Sequence, residues 1–160
     1  MITLQNLTVK DAFQSVDEDP ILVRMTDEFS LVIKNFAHHA ELRGVFVVDE
    51  ASRFLGVITR TDLLDWTRVK LGAIFLKPLT NTDKTIRLAN LSNAATAGDV
   101  LRPDTKKAVL IPDDTLAKAL QTMIEADLIL LPIIDESRKI IGSLSLSELL
   151  NLALAKNVCV

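Results

Sequence analysis

The chain has 160 residues, 49% hydrophobic and 24% charged, and its 18 Lys+Arg against 21 Asp+Glu leave a net charge of −3. With an isoelectric point near 5.4, that balance argues against a protein that binds nucleic acid by neutralising phosphates. The single cysteine, Cys159, excludes an intrachain disulfide scaffold and a cysteine metal cage, and points to a reducing, cytoplasmic setting.

Mean hydropathy is +0.30, yet no apolar run approaches the ~18 residues of a membrane span. The longest, Leu128–Ile134, is broken by Pro132. The opening Met1-Ile-Thr-Leu-Gln lacks the basic start of a signal peptide. High apolarity without a span predicts burial against a second copy, a homodimer, and no membrane partner.

In chain order, the first apolar stretch, Ile21–Met25, has the length of a strand rather than a helix. Asp27 follows as the expected N-cap of an amphipathic helix. A buried strand at Val45–Val48 ends in the acidic turn Asp49-Glu-Ala-Ser-Arg. A third strand, Phe54–Thr59, leads into a helix that begins near Asp62 and is expected to reach about Phe75. Trp66–Ala95 leans basic (Arg68, Lys70, Lys77, Lys84, Arg87) and is broken by Pro78. A connection of that length is a tether between two halves, a lid or a docking element.

The elements then recur. Ala108–Ile111 has strand length, and Asp113-Asp114 is the expected cap. Leu116, Leu120, Met123 and Ile124 fall on one face of a helix. Leu130–Ile134, the turn Asp135-Glu-Ser-Arg-Lys, the strand Ile140–Ser145 and a helix beginning near Glu148 complete the series. Val23–Leu64 aligns with Val109–Leu150 without a gap at an offset of 86: Asp27 on Asp113, Ala40 on Ala126, Asp49-Glu50 on Asp135-Glu136, Gly56 on Gly142 and Leu63-Leu64 on Leu149-Leu150. Upstream, Thr8-Val-Lys-Asp11 resembles Thr96-Ala-Gly-Asp99 at an offset of 88. This is a duplication. Each unit reads β-α-β-β-α, and its acidic turn is too short for a parallel crossover, so its last two strands form a hairpin. The fold class is α/β, more narrowly α+β, with two repeats and their lead-ins at 1–66 and 95–160 and a linker at 67–94.

The segments Gly56-Val-Ile-Thr-Arg-Thr-Asp62 and Gly142-Ser-Leu-Ser-Leu-Ser-Glu148 hold the candidate site residues. Each ends a strand in a hydroxyl, adds a second hydroxyl and opens a helix with an acid. Free N–H groups and the positive dipole end of a helix start suit a phosphate, and a carboxylate in the first turn can accept from a vicinal diol. Thr59 and Thr61 are the expected hydroxyl donors, with Arg60 adding charge. The competing reading is local: Thr59-x-x-Asp62 resembles a capping box and Ser145-x-x-Glu148 is one. His38-His39 has no acid or thiol at metal-ligand spacing and reads as a solvated helix end, so no metal is expected. Trp66 reads as core or dimer interface. With no nucleophile and base in a matched setting, catalysis is not expected.

The two repeats, each with an apolar-Val-Asp-Glu or apolar-Ile-Asp-Glu strand end, a Gly-led strand and Thr/Ser-x-Thr/Ser-acid at a helix start, resemble a pair of CBS domains, the modules named after cystathionine β-synthase. The resemblance covers about four-fifths of the chain and implies a pseudo-two-fold pair, a Bateman module. It further implies clefts for an adenosyl ligand such as AMP, ADP, ATP or S-adenosylmethionine, and no bound cofactor. Carried over, Asp62 takes the ribose, Thr59, Thr61 and Arg60 meet phosphate, and Ile21, Leu22, Val23, Val45 and Phe46 flank the adenine. In the second repeat Ser145 and Ser147 keep the hydroxyls. Glu148 replaces the usual Asp there, and its extra methylene is expected to displace the carboxylate. Phe46 stands where the second repeat has Pro132. One working site, centred on Asp62, is therefore expected. The function implied is a regulatory sensor that shifts between two arrangements and signals to an effector protein. The alternative is a structural or dimerisation module without a ligand.

Overall fold

Two matching hairpins organise the molecule, for which a computed structural model describes residues 2–13, 20–71, 91 and 93–158. Strand β2 (Gly44–Val48) pairs antiparallel with β3 (Phe54–Thr59), and β4 (Leu130–Ile134) pairs antiparallel with β5 (Ile140–Ser145). The acid that opens each turn shapes it. Asp49 Oδ1 accepts from the N–H groups of Ala51 and Arg53, both at 2.9 Å, and Asp135 Oδ1 from those of Ser137 and Lys139, at 2.8 and 2.9 Å. Ser52 and Arg138, at matching positions, take left-handed backbone angles. The ladders slip at matching places too, between Val47 and Val48 and between Ile133 and Ile134. The turns meet at an antiparallel bridge between Arg53 and Lys139, residues equivalent under the offset of 86, which places the pseudo-two-fold axis there.

Strand β1 (Leu22–Arg24) lies parallel to β2 and completes a three-stranded sheet. Its expected counterpart over Ala108–Ile111 is reduced to one parallel bridge, Leu110 to Ile133. The reason is covalent. Phe46 N–H donates to Ile21 at 3.0 Å, whereas Pro132 at the matching position has no N–H to give.

The helices start one residue later than expected. Asp27 and Asp114 are not caps; each accepts the N–H three residues behind it, Arg24 at 2.7 Å and Ile111 at 2.9 Å, and so ties off the strand end. The N-caps are Glu28 for α2 (Phe29–His38) and Thr115 for α5 (Leu116–Ala126), where Thr115 accepts from Lys118 N–H. Asp27 thus corresponds to Asp114 rather than Asp113, and the gapless alignment needs a one-residue slip before β2. On α5, Leu116, Ala119 and Met123 are buried and Leu120 half-buried, but Ile124 is 71% exposed and off the expected face.

Helix α3 (Arg60–Leu71) follows β3, and α6 (Leu146–Ala155) follows β5. Both begin two residues before the acids that announce them. The lead-ins form α1 (Val9–Phe13) and α4 (Ala97–Val100), each opened by an Asp that accepts from a Thr N–H: Asp11 from Thr8 and Asp99 from Thr96. The lead-ins cross over. Thr8 bridges to Thr115 and Glu28 to Thr96. Val9 and Ala12 therefore bury with Leu116, Leu144 and Leu149, while Leu91, Ala97 and Val100 bury with Val23, Phe29 and Val32. Strand β2 is buried on both faces, as a continuous apolar run requires: Phe46 faces the second repeat's core, Val45 and Val47 the first's. Trp66 packs edge-on to Phe29 in that first core, with ring centres 5.2 Å apart.

After α4 a 3-10 turn, Pro103–Lys107, lies against β3 at Gly56. Thr105 Oγ1 accepts from Val57 N–H at 3.0 Å, and a Cβ on Gly56 would sit 2.5 Å from that oxygen. Among the described residues no helix is long and apolar enough to cross a membrane. The extension of α3 to Phe75, the basic residues Lys77, Lys84 and Arg87, Pro78 and Cys159 lie outside the described residues.

Candidate functional site

A cleft of about 670 Å³ opens between the repeats. Pro20, Ile21, Phe46 and the α2–β2 connection form one wall, and Leu130, Ser143, Ser145, Ser147 and Glu148 form the other. Its acid is held by local chemistry. Glu148 Oε2 accepts from Ser145 N–H at 2.7 Å and Ser145 Oγ accepts from Glu148 N–H at 3.2 Å, a complete capping box. The capping box read from Ser145-x-x-Glu148 thus forms, with the longer side chain of Glu148 reaching back to the Ser145 N–H. Glu148 remains half-buried, with Oε1 unpartnered among the described residues. Arg43 reaches across from the α2–β2 connection and donates from Nη1 to Ser147 Oγ at 2.6 Å.

A second cleft, of about 520 Å³, shares the wall Glu41-Leu42-Arg43 and is completed by Thr59, Arg60, Thr61 and Asp127-Leu128-Ile129. Arg60 is committed to the fold here. Its Nε donates to the Leu42 carbonyl at 2.9 Å and its Nη2 to those of His39 and Ala40 at 3.0 and 2.8 Å, closing the C-terminal end of α2, while the guanidinium stacks on Phe36. Thr61 is exposed at the rim and Thr59 is half-buried.

Asp62 lines neither of these two clefts. It is 2% exposed; Oδ2 accepts from the Thr59 N–H and hydroxyl at 2.8 and 3.1 Å, and Oδ1 lies 3.4 Å from Arg102 Nε. The residues expected around one ligand are thus divided. Ile21 and Phe46 face Ser145, Ser147 and Glu148 instead of Asp62; Val23 and Val45 are buried in the first core, and Leu22 is 45% exposed. The cause is the packing of two repeats face to face, which sets the strand wall of one opposite the helix start of the other.

Two charged residues escaped the sequence reading. Arg43 carries no motif, and only the fold sets it 2.6 Å from a hydroxyl 104 residues away. Arg102 is separated from Asp62 by 40 residues and reaches it through the 3-10 turn. His39 lines the larger cleft 3.9 Å from Glu41.

This duplicated hairpin unit has a counterpart among known families: the family model of the CBS domain matches residues 9–68 and again 97–155. The chain belongs to the CBS domain family. The two matches take in both repeats together with α1 and α4, so each CBS domain reaches its own lead-in. Among solved structures the CBS pair is similar to CBSX2 in complex with AMP (TM-score 0.73, 19% identity, 93% of this chain and 97% of that one) and to the CBS-pair protein CBSX2 from Arabidopsis thaliana (TM-score 0.67, 20% identity, 94% and 96%). It is similar also to a CBS domain-containing protein from Thermotoga maritima (TM-score 0.70, 22% identity, 94% and 95%). A further match is the CBS domain pair of protein MJ0100 in complex with 5′-methylthioadenosine and S-adenosyl-L-methionine (TM-score 0.63, 17% identity, 93% and 97%). At these identities the likeness is one of fold. No curated protein gives a significant sequence match.

Proposed function

We propose that this CBS pair is a regulatory module that binds an adenosyl compound in the larger cleft and passes the event to an effector protein. The observation that carries the reading is the pairing of an apolar wall, Ile21 and Phe46, with a polar helix start, Ser145, Ser147 and Glu148, across about 670 Å³. A planar base suits the first; a diol and an anion suit the second. The cap leaves Glu148 Oε1 for a ribose hydroxyl, and the two serines supply donors beside the α6 dipole. Two proteins of this fold were solved with AMP, or with 5′-methylthioadenosine and S-adenosyl-L-methionine, and this supports the ligand class. In the second cleft Thr59, Arg60 and Thr61 form a weaker site, because Asp62 is covered and Arg60 already engaged. Ligand binding shifts the module between two arrangements only to the extent that one of them binds better.

A second reading is a structural or dimerising module, favoured by the covered Asp62 and by exposed Ile124 and Leu154, each 71% exposed. A thermal-shift screen with AMP, ADP, ATP and S-adenosylmethionine separates the two. A ligand at 100 times its Kd stabilises the fold by about 2.7 kcal/mol. The expected shift is lost in Glu148→Gln, a change that keeps the cap, and retained in Asp62→Asn. Absence of a shift with all four ligands selects the structural module.

A further inference from the structure

We propose that Arg43 makes the larger cleft selective for adenosyl ligands that carry a phosphate over those that do not. The inference rests on the adenosyl reading of that cleft and goes beyond it by assigning the charge class of the ligand and the residue that sets it.

Arg43 is the only lysine or arginine on the described wall of this cleft, which also carries the carboxylates of Glu41 and Glu148. Without the guanidinium, two negative groups face any anion that enters. A guanidinium has five N–H donors in a planar fork. Arg43 uses one, from Nη1 to Ser147 Oγ, and its remaining four have no protein partner among the described residues. Because Ser147 Oγ is the acceptor in that bond, its own hydroxyl proton is directed elsewhere and can be given to an incoming oxygen. A phosphate oxygen beside the pair would receive a guanidinium and a hydroxyl donor together, at the start of α6 where the helix dipole is positive. Arg60 on the neighbouring cleft shows the contrast: its Nε and Nη2 are spent on three backbone carbonyls and its plane is stacked on Phe36. One arginine holds the fold and the other is placed for recognition.

The test is isothermal titration of AMP, adenosine and 5′-methylthioadenosine into the intact protein and into Arg43→Ala, Arg43→Lys and Ser147→Ala. Arg43 is exposed and outside both cores, and unchanged melting temperatures confirm that the variants fold. The expected result is AMP binding at least roughly tenfold tighter than adenosine. Arg43→Ala should weaken AMP roughly tenfold to hundredfold, with adenosine held within about twofold. Arg43→Lys should recover part of the loss, since it keeps the charge without the fork. Equal binding of AMP and adenosine to the intact protein, or an AMP preference that survives Arg43→Ala, overturns this inference and leaves the adenosyl reading standing. Absence of binding by all three compounds overturns both.

Discussion

The two repeats set an acid at the same point of the same helix start, and the two acids end in opposite surroundings. Each carboxylate takes the backbone N–H three residues behind it, at 2.8 Å for Asp62 and 2.7 Å for Glu148. Beyond that bond they part. Glu148 stays half-buried on the wall of the larger cleft, whereas Asp62 is sealed beside Arg102. The difference comes from a third element, the 3-10 turn that packs on Gly56 and carries Arg102 over the start of α3. Side-chain type alone does not separate an acid that stays open to a cleft from one that is covered; what is laid across it does. The longer acid in the open cleft is better placed for a ligand than the shorter one beneath a guanidinium.

The comparison can be broken at the turn first. In Gly56→Ala the new methyl would lie 2.5 Å from Thr105 Oγ1 and 2.6 Å from Leu101 Cδ1. The turn must lift, losing the Val57–Thr105 bond and loosening Arg102. A loss of about 2–3 kcal/mol is expected by urea denaturation; a loss below roughly 0.5 kcal/mol would show that the turn does not hold the seal.

Next in size is the contrast between the acids. Asp62→Asn removes a buried charge facing Arg102 and should cost about 1–3 kcal/mol. Glu148→Gln preserves the capping box and should stay within about 0.5 kcal/mol. Thermal melts of the two variants side by side would undo the comparison if the losses were equal.

The smallest effect probes what the halves share. The carboxyls of Asp11 and Asp99 are held below the ordinary value of 3.8 chiefly by backbone N–H donation, from Thr8 and Ala95 respectively, and that of Asp49 by the N–H of Arg53. A depressed folded pKa adds stability that is fully present above about pH 4 and is lost as pH falls through the folded value. Melting temperature should therefore be flat from about pH 7 to 5 and fall below about pH 4. Asp11→Asn and Asp99→Asn should each remove part of that acid limb, since both carboxyls accept the Thr N–H three residues behind, and Asp99→Asn the larger part, since Asp99 also takes the Ala95 N–H. A loss confined to one variant would mean that the two lead-ins are not equivalent.

Much of the fold was legible because it is local and stated twice. Gly56 and Gly142, the acidic turns and the continuous apolar runs mark both hairpins, and a turn of five residues leaves no other pairing. The absence of a second parallel strand, the counterpart of β1, was legible in principle, since Pro132 cannot donate where Phe46 does. The helix starts were misplaced by one residue because an Asp that ties off a strand and an Asp that caps a helix look alike in sequence. At the second helix start Ser145, Ser147 and Glu148 were legible as hydroxyls and an acid, but that Ile21 and Phe46 face them rather than Asp62 was not, because it depends on how the two repeats pack.

By itself the sequence determined the duplication, the hairpin with its flanking helices in each repeat, the CBS family and the hydroxyls and acids at the two helix starts, because each feature is local to one repeat and is stated twice. Only the tertiary structure decided which acid meets a cleft, which arginine stays available and which is spent, and that each lead-in serves the opposite core. Those outcomes depend on contacts between separate elements, from 18 positions apart for Arg60 with Leu42, through Asp62 with Arg102, to 104 for Arg43 with Ser147. Periodicity along the chain records which way a side chain faces within its own element, not which other element comes to cover it.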